Sequence, residues 1–161
     1  MDIKELKPTS IWHYFDAITG VPRPSKKEER IREFLLNFAK EQNLEVKVDK
    51  TGNVVITKEA TPGCEGAPTV ILQAHMDMVC EKNGDVKHDF ERDPIETYID
   101  GEWVKARGTT LGADNGIGMA AAMAVLADKE LKHGRIQALF TVDEETGLTG
   151  AFGLESGMID G

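Results

Sequence analysis

The chain alternates between apolar residues at helical spacing and apolar residues at strand spacing. Ile11, Phe15 and Ile18 fall on one face of a segment from Thr9 to Ile18, which predicts a short helix capped by Thr9 or Ser10. Gly20 to Pro24 breaks it. Ser25 with Glu28 three residues on forms a capping box, and Ile31, Leu35 and Phe38 line a second helix that should end near Gln42 and Asn43. LEVKVD, a turn at Lys50 to Asn53, and VVIT then read as a hairpin. After the loop Thr61 to Pro68, the run Thr69 to Val79 contains Val70, Ile71 and Leu72, a short apolar stretch expected in a strand covered on both faces. A polar, exposed loop over Glu81 to Asp93 leads to a second hairpin, Ile95 to Ala106, turning at Asp100 and Gly101. A Gly- and Thr-rich approach, Arg107 to Asn115, introduces the helix GIGMAAAMAVLAD, whose alanines permit close packing against a sheet. The last strong strand is Ile136 to Val142, and the segment Thr149 to Gly161 reads as a short helix and a loop.

Helix, strands, helix and strand in this order predict an α/β fold, a three-layer α/β/α sandwich around a mixed, largely parallel sheet. Both central strands stop abruptly on polar chemistry. One ends at Gln73, His75 and Asp77, the other at Asp143, Glu144 and Glu145. The C-terminal edge of an open α/β sheet is where such folds place their ligands.

Length and charge narrow the partners. With 161 residues, 40% hydrophobic and 29% charged, the chain has the composition of a globular domain. A net charge of −9 argues against nucleic acid or an anionic membrane, both of which need a basic face, and suits a protein that concentrates cations. Two cysteines, Cys64 and Cys80, are too few for a disulfide framework. MDIKELKPTS has no apolar leader core and no stretch approaches a membrane span, so the expected location is the cytoplasm.

His75, Asp114, Glu144 and Glu145 supply one imidazole and three carboxylates, each where an apolar element ends. Such a set suits two divalent ions, zinc most of all, with cobalt or manganese as alternatives. Asp114, in GADNGIG, can bridge two ions through its two oxygens. Adjacent glutamates make chemical sense if one binds metal while the other stays free as a base. Asp77 can fix the tautomer and orientation of His75. For HMD alone the alternative is a polar strand end facing water, and for the acidic run a solvated turn. Gly147 and Gly150 would let that run bend tightly. Met76 and Met78 read as core packing, Cys80 as a buried thiol, Trp12 and Trp103 as packing residues, and His88 and His133 as surface or helix-end histidines.

HMDMV (75–79), GTTLGADNGIG (108–118) and DEETGLTGAFGL (143–154) together resemble the three metal-site segments of the di-zinc aminoacylase and dipeptidase family. YIDGEWVKARGTTLGADNGIGMA, from 98 to 120, is most similar to the branch that acts on Xaa-His and other unblocked dipeptides. The resemblance implies that His75 binds one metal, Asp114 bridges both, Glu145 binds the other, Glu144 is the general base and Asp77 supports His75. It also implies a cis peptide from Asp114 to Asn115. The substrate would be a dipeptide, hydrolysed at its single peptide bond. By the same resemblance, 1–161 is the N-terminal part of a catalytic domain. The lid domain, through which the parent would form a homodimer, and the rest of the catalytic domain are then absent. Two further ligands of the family are not identifiable; Asp160 is a weak candidate for one, and the expectation is that they lie past Gly161 and that this piece alone is nearly inactive. The competing readings are an amidohydrolase of N-acyl amino acids, and a non-catalytic scaffold domain, whose signature would be loss of the base or bridging ligand; Glu144 and Asp114 are both present.

Overall fold

A computed structural model of the chain describes residues 2–160. Helices α1 (Thr9–Thr19) and α2 (Glu29–Glu41) precede the hairpin β1 (Glu45–Val48) and β2 (Val54–Lys58). Strand β3 (Val70–His75) follows, then the hairpin β4 (Thr97–Asp100) and β5 (Trp103–Ala106), helix α3 (Ala113–Ala127), strand β6 (Ile136–Thr141) and helix α4 (Thr149–Phe152). Nearly every element lies where the apolar periodicity places it.

The main sheet has the order β1-β2-β6-β3. It is mixed, as expected, but parallel pairing is confined to β3 and β6; β1 with β2 and β2 with β6 run antiparallel. That one parallel pair decides the geometry of the site. His75 pairs in register with Thr141, so two strands far apart in sequence end side by side at one edge.

The expectation that β3 is covered on both faces holds only for part of the strand: Leu72 and Ala74 pack on the helix side and Ile71 on the opposite cluster, but its start is open. All six residues of β6 are buried, whereas β3 is a sheet-edge strand whose first residue, Val70, is 51% exposed and whose last two, Ala74 and His75, are buried. An interior strand has neighbours on two sides and an edge strand has one, so an apolar run alone does not distinguish them.

Three helices share one face of the sheet. Phe15 and Ile18 of α1, Ile31, Leu35 and Phe38 of α2, and Met119 and Met123 of α3 pack in one cluster with Ile56, Ala74, Ala138 and Phe140. Ala120 and Ala122 of α3 are buried in the same cluster, where small side chains permit close approach to the sheet. The opposite face carries a smaller cluster, Val55, Leu139 and Met158, flanked by Ile71, Leu154 and Ile159. Among the described residues, the third layer of the sandwich is the segment from α4 to Ile159.

Two local readings change. The capping box at Ser25 does not form: α2 starts after Glu28 with no side-chain cap, and the Ser25 hydroxyl donates instead to Asp77 Oδ2 at 2.7 Å. A helix cap contributes about 1 kcal/mol, and a buried carboxylate left without donors costs more. Trp103 is 70% exposed rather than packed. Side chains alternate along a strand, and in this hairpin the paired Ile99 and Val104 face the core, which turns Trp103 to solvent. Met76 and Met78 are buried as expected.

Candidate metal centre

The C-terminal edge of the β3–β6 pair gathers the polar residues. His75 closes β3, and the chain reverses immediately after β6 at Asp143, whose φ of 49° lies in the left-handed region. Gly150 makes that reversal possible, since a Cβ there would sit 2.4 Å from the Val142 carbonyl oxygen and 2.5 Å from Asn53 Oδ1. Fully buried Asn53 holds the turn from within: its Oδ1 accepts from the Val142 amide at 3.1 Å and its Nδ2 donates to the Gly150 carbonyl at 2.8 Å.

Asp114 arrives from the third direction. It opens α3, but Asp114 and Asn115 have non-helical backbone angles and are joined by a cis peptide, as the resemblance implies. Its side chain is 87% exposed, and Oδ1 lies 3.0 Å from His75 Nε2. Ligand atoms of His75, Asp114 and Glu145 all lie within 4.8 Å of one another. Glu144 stands beside them, its Oε2 3.8 Å from His75 Nε2. A cavity of about 370 Å³ opens here, lined by His75, Asp114, Asn115 and Glu144 together with Leu139, Leu148 and Leu154. A larger one of about 460 Å³ lies against α1 and the end of α3 and lacks this convergence of acids on an imidazole.

Asp77 is the inverse of Asp114. It is wholly buried, and its two oxygens are met by four donors. Oδ1 lies 3.2 Å from His75 Nδ1 and accepts from the Glu144 amide at 3.0 Å. Oδ2 accepts from the Ser25 hydroxyl and from the Glu145 amide at 3.1 Å. Burial opposes a charged Asp77, yet these hydrogen bonds hold its carboxyl far below the usual carboxylate range. Burial also opposes an imidazolium at His75, but hydrogen bonds to Asp77 and Asp114 and the charges around it raise the pKa to about 9 in the metal-free chain. At Glu145, burial is the largest influence and raises the pKa, with the neighbouring carboxylates adding to it.

The donor set fits divalent metal. One imidazole nitrogen and carboxylate oxygens converge at an open position, and a cation there would relieve the crowding of negative charge. A second acidic group, Glu28, Asp77 and Asp143, is buried behind it. That group is already engaged: Glu28 Oε1 accepts from the Lys26 and Asp143 amides, and Asp143 accepts from the hydroxyls of Thr146 and Thr149.

His75, Asp77, Asp114, Glu144 and Glu145 are thus brought together. Asp160 is not: it bonds Arg135 and Gln137 at the start of β6, the opposite end of the strand, which corrects its place as a candidate ligand. His88 and His133 also lie apart from the cluster and are half-buried, with ring Nε2 atoms that have no hydrogen-bond partner among the described residues. Sequence reasoning missed Arg23, Ser25, Glu28 and Asn53 as supports of the site. The one available signal was an arginine fixed between Pro22 and Pro24.

Residues 71–161 match the model of peptidase family M20/M25/M40. The chain is 53% identical over 154 residues to the cytosol non-specific dipeptidase of Escherichia coli K12, covering 96% of this chain and 32% of that protein. Its structure is similar to that of aminoacylhistidine dipeptidase from Vibrio alginolyticus, with a TM-score of 0.97 and 57% identity, covering 100% of this chain and 33% of the other. A tripeptidase from Staphylococcus aureus matches with a TM-score of 0.78 and 26% identity, over 94% of this chain and 40% of the other. The chain spans about a third of the length of the two dipeptidases.

Proposed function

Because this chain belongs to peptidase family M20/M25/M40, we propose that it forms the metal-binding part of a dipeptidase acting on Xaa-His and other unblocked dipeptides. The observation that carries the reading is the meeting of His75, Asp114 and Glu145 within 4.8 Å, beside a Glu144 carboxylate that reaches the same imidazole. In this reading His75 and Glu145 would each hold one divalent ion and Asp114 would serve both, zinc being the best match to the donors and cobalt or manganese the alternatives. Ions bound there would supply Lewis acidity toward the peptide carbonyl and the attacking water.

The chain's own groups do the rest. Asp77 keeps the proton of His75 on Nδ1 and presents Nε2 to the metal side. Glu144, held by its amide to Asp77 and with its side chain 36% exposed, takes a proton from the water and returns it to the leaving amine. The leucines that line the cavity receive substrate side chains. The proposal extends to a cytoplasmic location, in line with the name of the Escherichia coli relative, and to a homodimeric parent protein. No helix among the described residues is long and apolar enough to cross a membrane.

The test is to incubate the chain with zinc and matched unblocked and N-acylated dipeptides. The reading expects slow, zinc-dependent cleavage of the unblocked set, reduced about 10²- to 10⁴-fold in Glu144→Gln, the usual contribution of a general base. Preferential cleavage of the N-acylated set would favour the amidohydrolase reading. Cleavage that persists without metal, or is unchanged in Glu144→Gln, would refute the mechanism.

A further inference from the structure

The residues that build the metal centre come from segments with no covalent reason to keep a fixed spacing: the end of β3, the approach to α3 and the turn after β6. Asp77 joins the first to the third through the Glu144 and Glu145 amides. Another buried side chain joins the first to the second. Arg23, 1% exposed, donates through Nη1 to the Met76 and Asp77 carbonyls, both at 3.0 Å, and through Nη2 to the Gly112 carbonyl. Two of these carbonyls follow directly on His75, the last residue of β3; the third lies two residues before Asp114.

The backbone around Arg23 is fixed to the same strand end. Its carbonyl accepts from the Met78 amide at 3.2 Å, Pro24 forms a parallel bridge with Met78, and Ser25 bonds Asp77. The glycines of GADNGIG gain a specific purpose from this. A Cβ at Gly112 would sit 2.5 Å from Arg23 Nη2, and one at Gly116 would sit 2.8 Å from the same atom. Gly112 also has a φ of 70°, in the region that favours glycine. These two glycines make room for the guanidinium, which then fastens the loop that carries Asp114.

We propose that Arg23 is a positioning residue, a clamp that sets the spacing between the His75 and Asp114 segments before metal arrives. It rests on the metal-centre reading above only for its consequence; the clamp itself stands on the hydrogen bonds. A planar guanidinium can engage carbonyls on two segments at once, and an ammonium on a flexible stem does not reproduce that fork. The cation is retained despite its surroundings: burial pulls the Arg23 pKa to about 10, still charged at neutral pH.

The test compares Arg23→Lys and Arg23→Gln with wild type and with Leu35→Ala, a core truncation in α2 away from the site. Amide exchange of the metal-free chain is followed at Gly116, whose amide bonds the clamped Gly112 carbonyl, at Glu144, whose amide bonds Asp77 and so reports the clamped end of β3, and at Ile56 and Leu139 in the β2–β6 ladder. For Arg23→Lys, exchange at Gly116 and Glu144 should quicken about tenfold, the scale of one lost charged hydrogen bond, with the ladder unchanged. Zinc affinity should fall in the same variant, while Leu35→Ala quickens the ladder and leaves zinc affinity intact. If Arg23→Gln fails to fold, Arg23→Lys alone decides. Site amides that quicken only in step with the ladder would make Arg23 a general core brace and overturn the proposal, as would wild-type exchange and zinc affinity in Arg23→Lys. Asp114→Asn separates the two readings: unchanged zinc binding there rejects the metal centre, whereas the exchange pattern tests the clamp.

Discussion

His75 divides the site into two regions of opposite character. On its Nδ1 side Asp77 is buried and saturated with four donors; on its Nε2 side Asp114 is mostly exposed and meets the imidazole across 3.0 Å. The contrast teaches how the same residue type serves two purposes. An aspartate with every oxygen occupied can orient its neighbours and has no lone pair to give a metal, while one with free oxygen facing an open cavity can. In the proposed reading the chemistry belongs to the exposed side, and the rigidity that makes it precise belongs to the buried side.

Substitutions can break this contrast. Asp77→Ala should have the largest effect, lowering the stability of the metal-free chain by about 3–5 kcal/mol in urea denaturation, because three donors and an imidazole lose one buried anion. A loss below about 1 kcal/mol would place the bracing elsewhere. Gly150→Ala should cost about 1–3 kcal/mol in the same measurement, since the added methyl meets the Val142 carbonyl and Asn53.

Acidity sharpens the contrast further. The folded His75 pKa, about 9, is raised above the ordinary 6.5, so its contribution to stability is present below pH 6.5 and is lost as pH rises through 9. Denaturation midpoints of the metal-free chain should therefore fall across that window, and His75→Asn should remove the fall. Because only neutral imidazole binds metal, zinc affinity should rise with pH over the same window. The smallest effect belongs to Asp114→Asn measured above pH 9, where His75 has lost its proton and the exposed carboxylate no longer faces an imidazolium; metal-free stability should there stay within about 0.5 kcal/mol.

The strands, both hairpins and the helices were legible in the sequence because apolar periodicity is local. So was the candidate site, because His75 and Glu145 lie where apolar strands stop, Asp114 lies where an apolar helix begins, and the three long segments around them resemble a known family. The supports were not legible. Arg23 reaches Gly112 across 89 residues and Asn53 reaches the Val142 amide across the same separation, and nothing in a periodic pattern reports a partner so distant. Ser25 shows the same limit from the other side: its spacing to Glu28 is that of a helix cap, and only the position of Asp77 in the fold redirects its hydroxyl. The edge position of β3 was hidden for a related reason, since Val70, Ile71 and Leu72 are as apolar as residues of an interior strand.

The most direct test of a preformed metal centre is a calorimetric zinc titration of the metal-free chain, run in parallel with Asp114→Asn. The account predicts binding of two ions by wild type and loss of that binding in the variant, with both chains equally folded. Weak binding that is indifferent to Asp114→Asn would contradict it.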